Sequence, residues 1–498
     1  MRVKLGGLLL VLGGVLLAQD HLNEEIKHII QPNMSHLYLK EPHDVNDLGE
    51  MFTQGVFYGR LRFNSFGFKW GEELSDPNSG KVLRKDHAIA AMGGSLIYRS
   101  GYLNGFGVGA GLYVSEALGT LKKDEVYLYK AGKDTFSRYD KLTDGDNGII
   151  SFAQAYLEYK YSQTHVKYGR QIFESFLTKS NDTKMIPNTF EGITLQSKDI
   201  PQTTFKAAYL TRQKLRDHSE FHHVLAYASD PNEPYYYSYT ENDDSAVHRG
   251  LTLEKLQARG IDDRLIVLEA KNHSIDNLTL YANYTGLPDL FSSAMIQTDY
   301  LFEAGEWKLI PGVRYMQQFD NGAGEIGGAS RKGLAASQFY KNPNSLESWL
   351  FGARLDCVYR NIKVRAAYTR VADQADIIAP WRGFPTGGFT RAMGQYNWDS
   401  NTKTYMLQLG YQPESFYGIR MVARYAVQDF DDTKPSEQAD SNVFTLDIMK
   451  GFDGMSRMYT KLRYAHVTGE SDIPLVGTTG YKLDPSYDEV RFEINYLF

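Results

Sequence analysis

The chain has 498 residues, 54 basic against 60 acidic side chains, a formal charge of −6 and 13% aromatic residues, with 35 tyrosines against 26 phenylalanines. That slightly acidic balance offers no electrostatic footprint for a nucleic acid, and a single cysteine, Cys357, excludes an internal disulfide framework and fits no metal–cysteine spacing. The 45 glycines, taken with the aromatics, favour strands and turns over helices.

The opening segment, MRVKLGGLLLVLGGVLLAQD, sets Arg2 and Lys4 before an apolar run over 5–17 and then Ala18. This is the layout of a secretory signal peptide over 1–18, because the run falls short of the roughly 18 residues a spanning helix needs. Cleavage is expected after Ala18, with Leu16 standing where a small residue is usual. Residues 19–54 read as a periplasmic segment, with short amphipathic helices expected around Leu22, Ile26 and Ile29 and again at 46–52. No later run is long enough to span a membrane as a helix, so the exported chain is either soluble or a β-barrel.

From residue 55 to the end, polar and apolar residues alternate with period two in about eighteen segments. They begin at roughly 55–69, 88–100 and 103–117 and close at roughly 441–451, 455–468 and 487–498. Tight turns ("GYLNG", "SQT", "PQ", "SID", "GEW", "NI", "PESFYG", "FDGM") alternate with much longer loops, the longest near 214–261. Such asymmetry predicts an all-β fold, a transmembrane antiparallel barrel of about eighteen strands over 55–498, turns toward the periplasm and loops outside. Ala153, Ala155, Leu157, Tyr159 and Tyr161 are assigned to lipid; Gln154, Tyr156, Glu158 and Lys160 face a wet lumen. Tyr98, Tyr159, Tyr161, Tyr411, Tyr496 and Phe498 fall near lipid-facing strand ends, as aromatic girdles do. A last strand ending on Phe498 is the form of C-terminus that a barrel presents to its assembly machinery.

Parity assigns a basic wall to the lumen: Arg60, Arg62, Arg354, Lys363, Arg365, Arg420, Arg424, Arg457, Lys461, Arg463 and Arg491. Closure sets the last strand beside the first, and Glu158, Glu269 and Asp299 are expected opposite. A transverse field of this kind attracts carboxylates along the basic side. Asp356, Asp447 and Glu493 interrupt the wall and are positioned to pair with it.

Other clusters carry less. His218, His222 and His223 read as loop histidines, since no zinc-protease pattern flanks them. Asp140, Asp144, Asp146 and Asn147 offer oxygens for calcium but lack the spacing of an EF-hand loop. Tyr235, Tyr236, Tyr237 and Tyr239 read as self-packing of the longest loop, and DNGAGEIGGASRKG as a flexible outer loop rather than a phosphate cradle. No metal or cofactor is expected, and no catalytic set is located on neighbouring strand ends.

Two stretches resemble the OprD-type substrate-specific porins, including relatives in epsilon-type proteobacteria: DLGEMFTQGVFYGRLRF, and residues 166–210 with MIPNTFEGITLQS as the most specific portion. The resemblance implies an eighteen-stranded barrel, a lumen lined by a ladder of basic side chains, and a third loop folded inward as the constriction. By motif position that loop is 174–189, with Asp182, Lys184 and Asn188 at or near the eyelet. The long, tyrosine-rich fourth outer loop departs from the family and leaves the substrate open. The implied function is passive diffusion of small carboxylate-bearing or anionic nutrients across the outer membrane of a Gram-negative bacterium. A general porin and a barrel-anchored surface enzyme or adhesin are the alternatives. Expected partners are outer-membrane lipid, the barrel-assembly machinery and small solutes, in a monomer or loose trimer.

Overall fold

The computed structural model describes residues 42–498 except Pro77, Thr120, Lys133, 181–184, 226–245, Gln395, 414–417, Asp472, 476–480 and Leu483, plus the backbone alone of 28–30 and 36–38. The expected signal peptide, Asp182, Lys184 and the tyrosine run at 235–239 lie outside the described residues.

Strand formation follows the alternation. In chain order the barrel strands are β1 (Val56–Trp70), β2 (His87–Arg99), β3 (Phe106–Leu118), β4 (Gly148–Tyr161), β5 (Thr164–Gln171) and β6 (Thr189–Ser197). Next come β7 (Thr203–Lys214), β8 (Leu265–Asn272), β9 (Leu278–Leu287), β10 (Phe291–Tyr300), β11 (Trp307–Asp320) and β12 (Ser348–Tyr359). The circuit is completed by β13 (Ile362–Val371), β14 (Lys403–Tyr411), β15 (Ile419–Asp429), β16 (Ser441–Phe452), β17 (Met455–Gly469) and β18 (Tyr487–Leu497). Each pairs antiparallel with the next, and β18 returns to β1 with Asn495 opposite Arg62 and Leu497 opposite Arg60. No edge is left unpaired, as a membrane-embedded sheet requires. Among the described residues, no helix is long and apolar enough to cross a membrane.

Exposure separates the two faces. On β4, Leu157, Tyr159 and Tyr161 are exposed while Gln154, Tyr156 and Glu158 are buried. Ala153 breaks the expected parity: the register shifts between Phe152 and Gln154, and this bulge turns Ala153 inward against Ala91, Tyr113, Ile149 and Met185. Tyr159, Tyr161, Tyr411 and Tyr496 are exposed near the short-turn ends, where Phe106 packs 4.7 Å from Tyr159 and Trp307 packs 4.6 Å from Tyr359. Phe498 does not join them. It is 0% exposed, exchanges backbone hydrogen bonds of 3.0 and 3.1 Å with Gly59, and lays its ring where a Cβ on Gly59 would come within 2.8 Å of it.

At the short-turn end, helix α1 (Leu48–Thr53) starts where the Asp47 side chain accepts from the Glu50 amide at 2.8 Å, a cap that satisfies an orphan N–H. It is tied to the β2–β3 turn by the Gly101 amide donating to Met51 O at 2.8 Å. The other expected helix is not seen at Ile29, which lies in a short strand, His28–Ile30, paired with His36–Tyr38.

At the opposite end most connections are long, but β9 and β10 are joined by 288–290 alone, so the outer loops are not uniformly extended. The loops build an apolar core over the barrel mouth that includes Leu177, Val224, Leu251, Ile326, Ile377 and Trp381. DNGAGEIGGASRKG belongs to it. The stretch contains helix α2 (Ala323–Gly327), with Ala323, Ile326 and Ala329 buried, so burial of small and apolar residues replaces the flexibility its glycines suggested.

Candidate functional site

Two loops enter the lumen and hold each other. Loop 3 (172–188) and loop 7 (372–402) meet in an antiparallel bridge between Thr178 and Arg382. Lys179 N donates to Trp381 O at 3.0 Å and Gly383 N to Leu177 O at 2.8 Å. The approach is so close that a Cβ on Gly383 would fall 2.3 Å from Leu177 backbone atoms; only glycine fits.

Side chains from the barrel wall fix both loops. Glu269 of β8 accepts from the Phe176 amide at 2.8 Å and the Tyr281 hydroxyl at 2.6 Å, and pairs with Lys206 at 3.2 Å. Arg314 of β11 donates to Pro385 O (2.7 Å) and Gly387 O (2.8 Å), and its guanidinium lies 4.9 Å from the Phe176 ring and 4.5 Å from that of Phe389. Arg354 and Arg365 both donate to Gly388 O, at 2.7 and 2.5 Å. Backbone carbonyls of loop 7 thus rest on three wall arginines, a use of the guanidinium fork that supplies several donors in one plane.

Of the expected constriction residues, Asn188 alone lies among the described residues. Asn188 is fully buried at the base of loop 3, donating to Lys179 O at 3.2 Å while its amide donates to Ser180 O, so it braces the loop rather than facing open lumen. Lys179, not anticipated, is held below the ordinary lysine range by burial, opposed by Glu174 and Glu269.

The basic wall is present but heavily paired. Asp356 binds Arg365 (2.5 Å) and Lys363 (2.6 Å); Asp447 binds Arg424 and Arg463, both at 2.6 Å. Glu493 meets Lys461 at 3.1 Å, Glu489 meets Arg491 at 2.6 Å, and Arg62 Nε donates to Asn495 at 2.7 Å. Arg60 is buried on the same face of β1, and Arg457 is partly exposed near the short-turn end of β17.

The opposite acidic wall is corrected. Asp299 is not across the pore: it lies 2.6 Å from Arg354, two strands away, directly over Gly312. Glu158 and Glu269 do stand on the far strands, yet each has its own base, Glu158 pairing with Arg99 (3.3 Å), His165 (2.9 Å) and Lys167 (3.8 Å). Parity also admits Arg99, Lys167, Lys206 and Arg314 to the lumen face, and the expected ladder left them out.

A cavity of about 540 Å³ lies between loop 7 and the wall. Of the expected ladder it takes Lys363, Arg365, Arg420, Arg424, Arg463 and Arg491. The loops add Lys130, Arg216, Arg382 and Arg391, making ten basic side chains against three carboxylates, Asp134, Asp447 and Glu489. Phe68, Phe384, Phe389, Tyr396 and Tyr487 supply aromatic surface.

Among the described residues, no group of three or more His, Cys, Asp or Glu gathers for a metal ion. Lys141 Nζ takes the Asn147 oxygen at 2.7 Å, and Asp140 accepts from Ser219. His222 is buried, which pulls it down to about 3, with its ring 4.6 Å from that of His218.

A closed eighteen-strand barrel with an apolar outer face, inward loops and a charged lumen defines a membrane channel of the porin class. The family model described as outer membrane porin, OprD family, matches residues 75–345, more than half of the chain. The chain therefore belongs to the OprD family. It is an outer-membrane porin of a Gram-negative bacterium, not an enzyme; lipid covers its outer face and small solutes are its ligands. Solved structures share the fold. OccAB3 of Acinetobacter baumannii has a TM-score of 0.67 at 15% identity, covering 90% of this chain and 100% of its own. OpdK of Pseudomonas aeruginosa, solved with vanillate, gives 0.65 at 13% identity over 90% and 99%. OccK3 (OpdO) of the same organism gives 0.61 at 16% identity over 91% and 97%. No curated protein matches the chain. The matched family segment contains loop 3 but ends before loop 7, so the cavity residues on β13 to β18 lie beyond it.

Proposed function

We propose that this porin is a selective diffusion channel for small carboxylate-bearing or anionic nutrients. Loop 3 narrows the pore with loop 7 locked to it, and the cationic cavity forms the selective stretch. The observation that carries the reading is the charge of that cavity, ten bases against three acids. Of its anions Asp447 is over-matched, being shared by Arg424 and Arg463, and Asp356 on the adjoining wall, outside the cavity lining, is likewise shared by Lys363 and Arg365. Pairing therefore orients the arginines without cancelling their field. A carboxylate about 4 Å from one such charge gains about 4 kcal/mol at an effective dielectric constant near 20, which offsets part of its dehydration. Guanidinium suits the task because it binds carboxylate through two parallel hydrogen bonds and stays protonated. The vanillate bound to OpdK is a carboxylate, in a channel of the same fold.

The last strand is the segment we assign to the assembly machinery, with the barrel acting as a monomer or loose trimer. The selectivity is tested by reversal potential across a potassium chloride gradient in a planar bilayer, repeated with sodium benzoate. Anion preference in both salts is expected. Equal permeability to cations and anions would make it a general porin.

A further inference from the structure

The loop-side ends of four adjacent strands, β5 to β8, carry charge on the outside of the barrel. Arg170 belongs to the outward row of β5 with Tyr168, and Glu191, opposite it in register, to that of β6 with Ile193. On β7 the register shifts between Glu191 and Gly192, so Thr211 is an extra residue and Arg212 turns outward, opposite Glu191. Arg264, just before β8, falls on the same side as Ile266 and Leu268.

These three guanidiniums share one strand carboxylate. Glu191 accepts from Arg170 Nε at 3.3 Å, Arg212 forms no ion pair among the described residues, and Arg264 meets only Asp262, at 3.7 Å. Asp262 is 77% exposed, so water screens that contact. Arg170 is oriented by the Phe221 ring, 4.7 Å from its guanidinium, and Arg264 by donation to Thr211 O at 3.4 Å. All three remain open to the outside: the Arg170 and Arg264 side chains are 42% and 36% exposed, and Arg212 is exposed as well.

Tyr168, Ile193, Tyr209 and Leu268 lie directly beneath, toward the middle of the bilayer, and are exposed as part of the lipid-facing surface. Tyr168 and Ile193 are two residues from Arg170 and Glu191, about 7 Å along a strand. A ligand here meets apolar surface and positive charge together, which selects an amphiphile over a free ion. Guanidinium forks match phosphate oxygens, and an anionic headgroup gains from every base near the membrane surface. We propose that this rim binds the phosphorylated headgroup of an outer-leaflet glycolipid, whose acyl chains lie along the apolar strip below. With neighbouring strands about 4.8 Å apart, the three arginines cover about 14 Å of the rim, room for a headgroup with more than one phosphate. The site is outside the lumen and independent of what the pore selects.

Titration of the purified porin in detergent with diphosphoryl lipid A, with bound lipid counted by native mass spectrometry, tests it. Wild-type protein should retain the lipid. Arg170→Gln combined with Arg212→Gln should raise the half-saturating concentration by about tenfold or more, since each base near an anionic surface contributes several-fold. The corresponding double lysine variant, which keeps the charge but loses the fork, should lie between the two. Arg370→Gln, which removes an exposed arginine from the loop-side end of β13, should bind as the wild type does. Heat-modifiable migration confirms that each variant is a folded barrel. Absence of binding to the wild type, unchanged binding in the double glutamine variant or an equal loss in Arg370→Gln overturns the site. Displacement of the lipid by an equal concentration of inorganic phosphate would overturn the lipid assignment and leave a phosphate site.

Discussion

Asp299 of β10 reaches Arg354 of β12 at 2.6 Å by passing over Gly312, the residue opposite both in register on the intervening β11. A Cβ at Gly312 would stand 2.2 Å from the Asp299 carboxylate and 3.0 Å from Arg354 Nε. The missing side chain is therefore what permits an ion pair to bridge three strands, and through Arg354 the pair supports Gly388 of loop 7. Gly312→Ala is expected to destabilise the barrel by about 1–3 kcal/mol, as overpacking does. Urea unfolding in detergent measures it. Adding Asp299→Ala should recover part of the loss; strictly additive costs would show that the two positions do not share the site.

Loops 3 and 7 should fail together. Because Thr178 pairs with Arg382 and Trp381 is fully buried with its Nε1 donating to Val224 O at 2.7 Å, deleting 176–186 or replacing Trp381 by alanine should free both loops from the lumen. Single-channel conductance is expected to rise in each case, several-fold for the deletion, as rough scaling with open area suggests. A deletion that leaves conductance at the wild-type value would place the constriction elsewhere.

The outer loops should loosen as pH rises. Tyr340 of the β11–β12 loop donates to Asp376 of loop 7 at 2.8 Å and to Glu437 of the β15–β16 loop at 3.3 Å. Around them stand Arg331 and Asp399, with Lys434 and Asp431 on the same loop as Glu437. Burial, then the neighbouring carboxylates, raises Asp376 and Glu437 above their ordinary values. The folded state thus binds the proton more tightly, so its stability is full below the ordinary glutamate value of 4.5 and is lost toward the raised one. Asp373 and Asp431, held low, act in the opposite sense only below the ordinary aspartate value of 3.8. Hydrogen-exchange protection at 429–441, taken relative to the intrinsic exchange rate at each pH, should therefore be greater at pH 5 than at pH 8, and Glu437→Gln should flatten the difference. Equal protection of the wild type at both pH values would contradict it.

Phe498 closes the seam between the last strand and the first through its backbone pair with Gly59. Its deletion is expected to lower the fraction of chain inserted in the outer membrane while leaving the conductance of inserted channels intact. Gly59→Ala should act similarly, since the new Cβ would collide with Ser95 O at 2.1 Å as well as with the Phe498 ring. Wild-type levels of inserted protein for the deletion would remove the assembly role.

What could be read in advance follows the range of the interactions. All eighteen strands are legible because period-two alternation and turn chemistry are local, and the inward parity of Arg365, Arg424 and Arg463 follows from the same rule. Parity fixes a face but not a distance around the circumference, so Asp299 was set across the pore from a base it touches. Ala153 escaped because one extra residue in a bulge inverts the face. Arg382 and Arg391 sit in a loop with no period at all, and their place in the lumen depends on contacts with loop 3 about two hundred residues earlier. The compact packing of 320–333 was hidden for the same reason: glycine signals freedom locally, whereas Ile326 and Ala329 are held by distant apolar partners.

Carboxylate flux through the double variant Arg420→Gln, Arg424→Gln bears most directly on a selective cationic cavity. Both residues line it, and Arg424 holds Asp447 at 2.6 Å, so removing the pair lowers the local positive charge while Arg463 still occupies that aspartate. Benzoate flux relative to a neutral solute of similar size should fall, and the reversal potential should move toward cations. Both effects should shrink near 1 M salt, where the Debye length is about 3 Å. Wild-type ion preference and benzoate flux in the double variant at low salt would contradict the selective channel and leave a general porin.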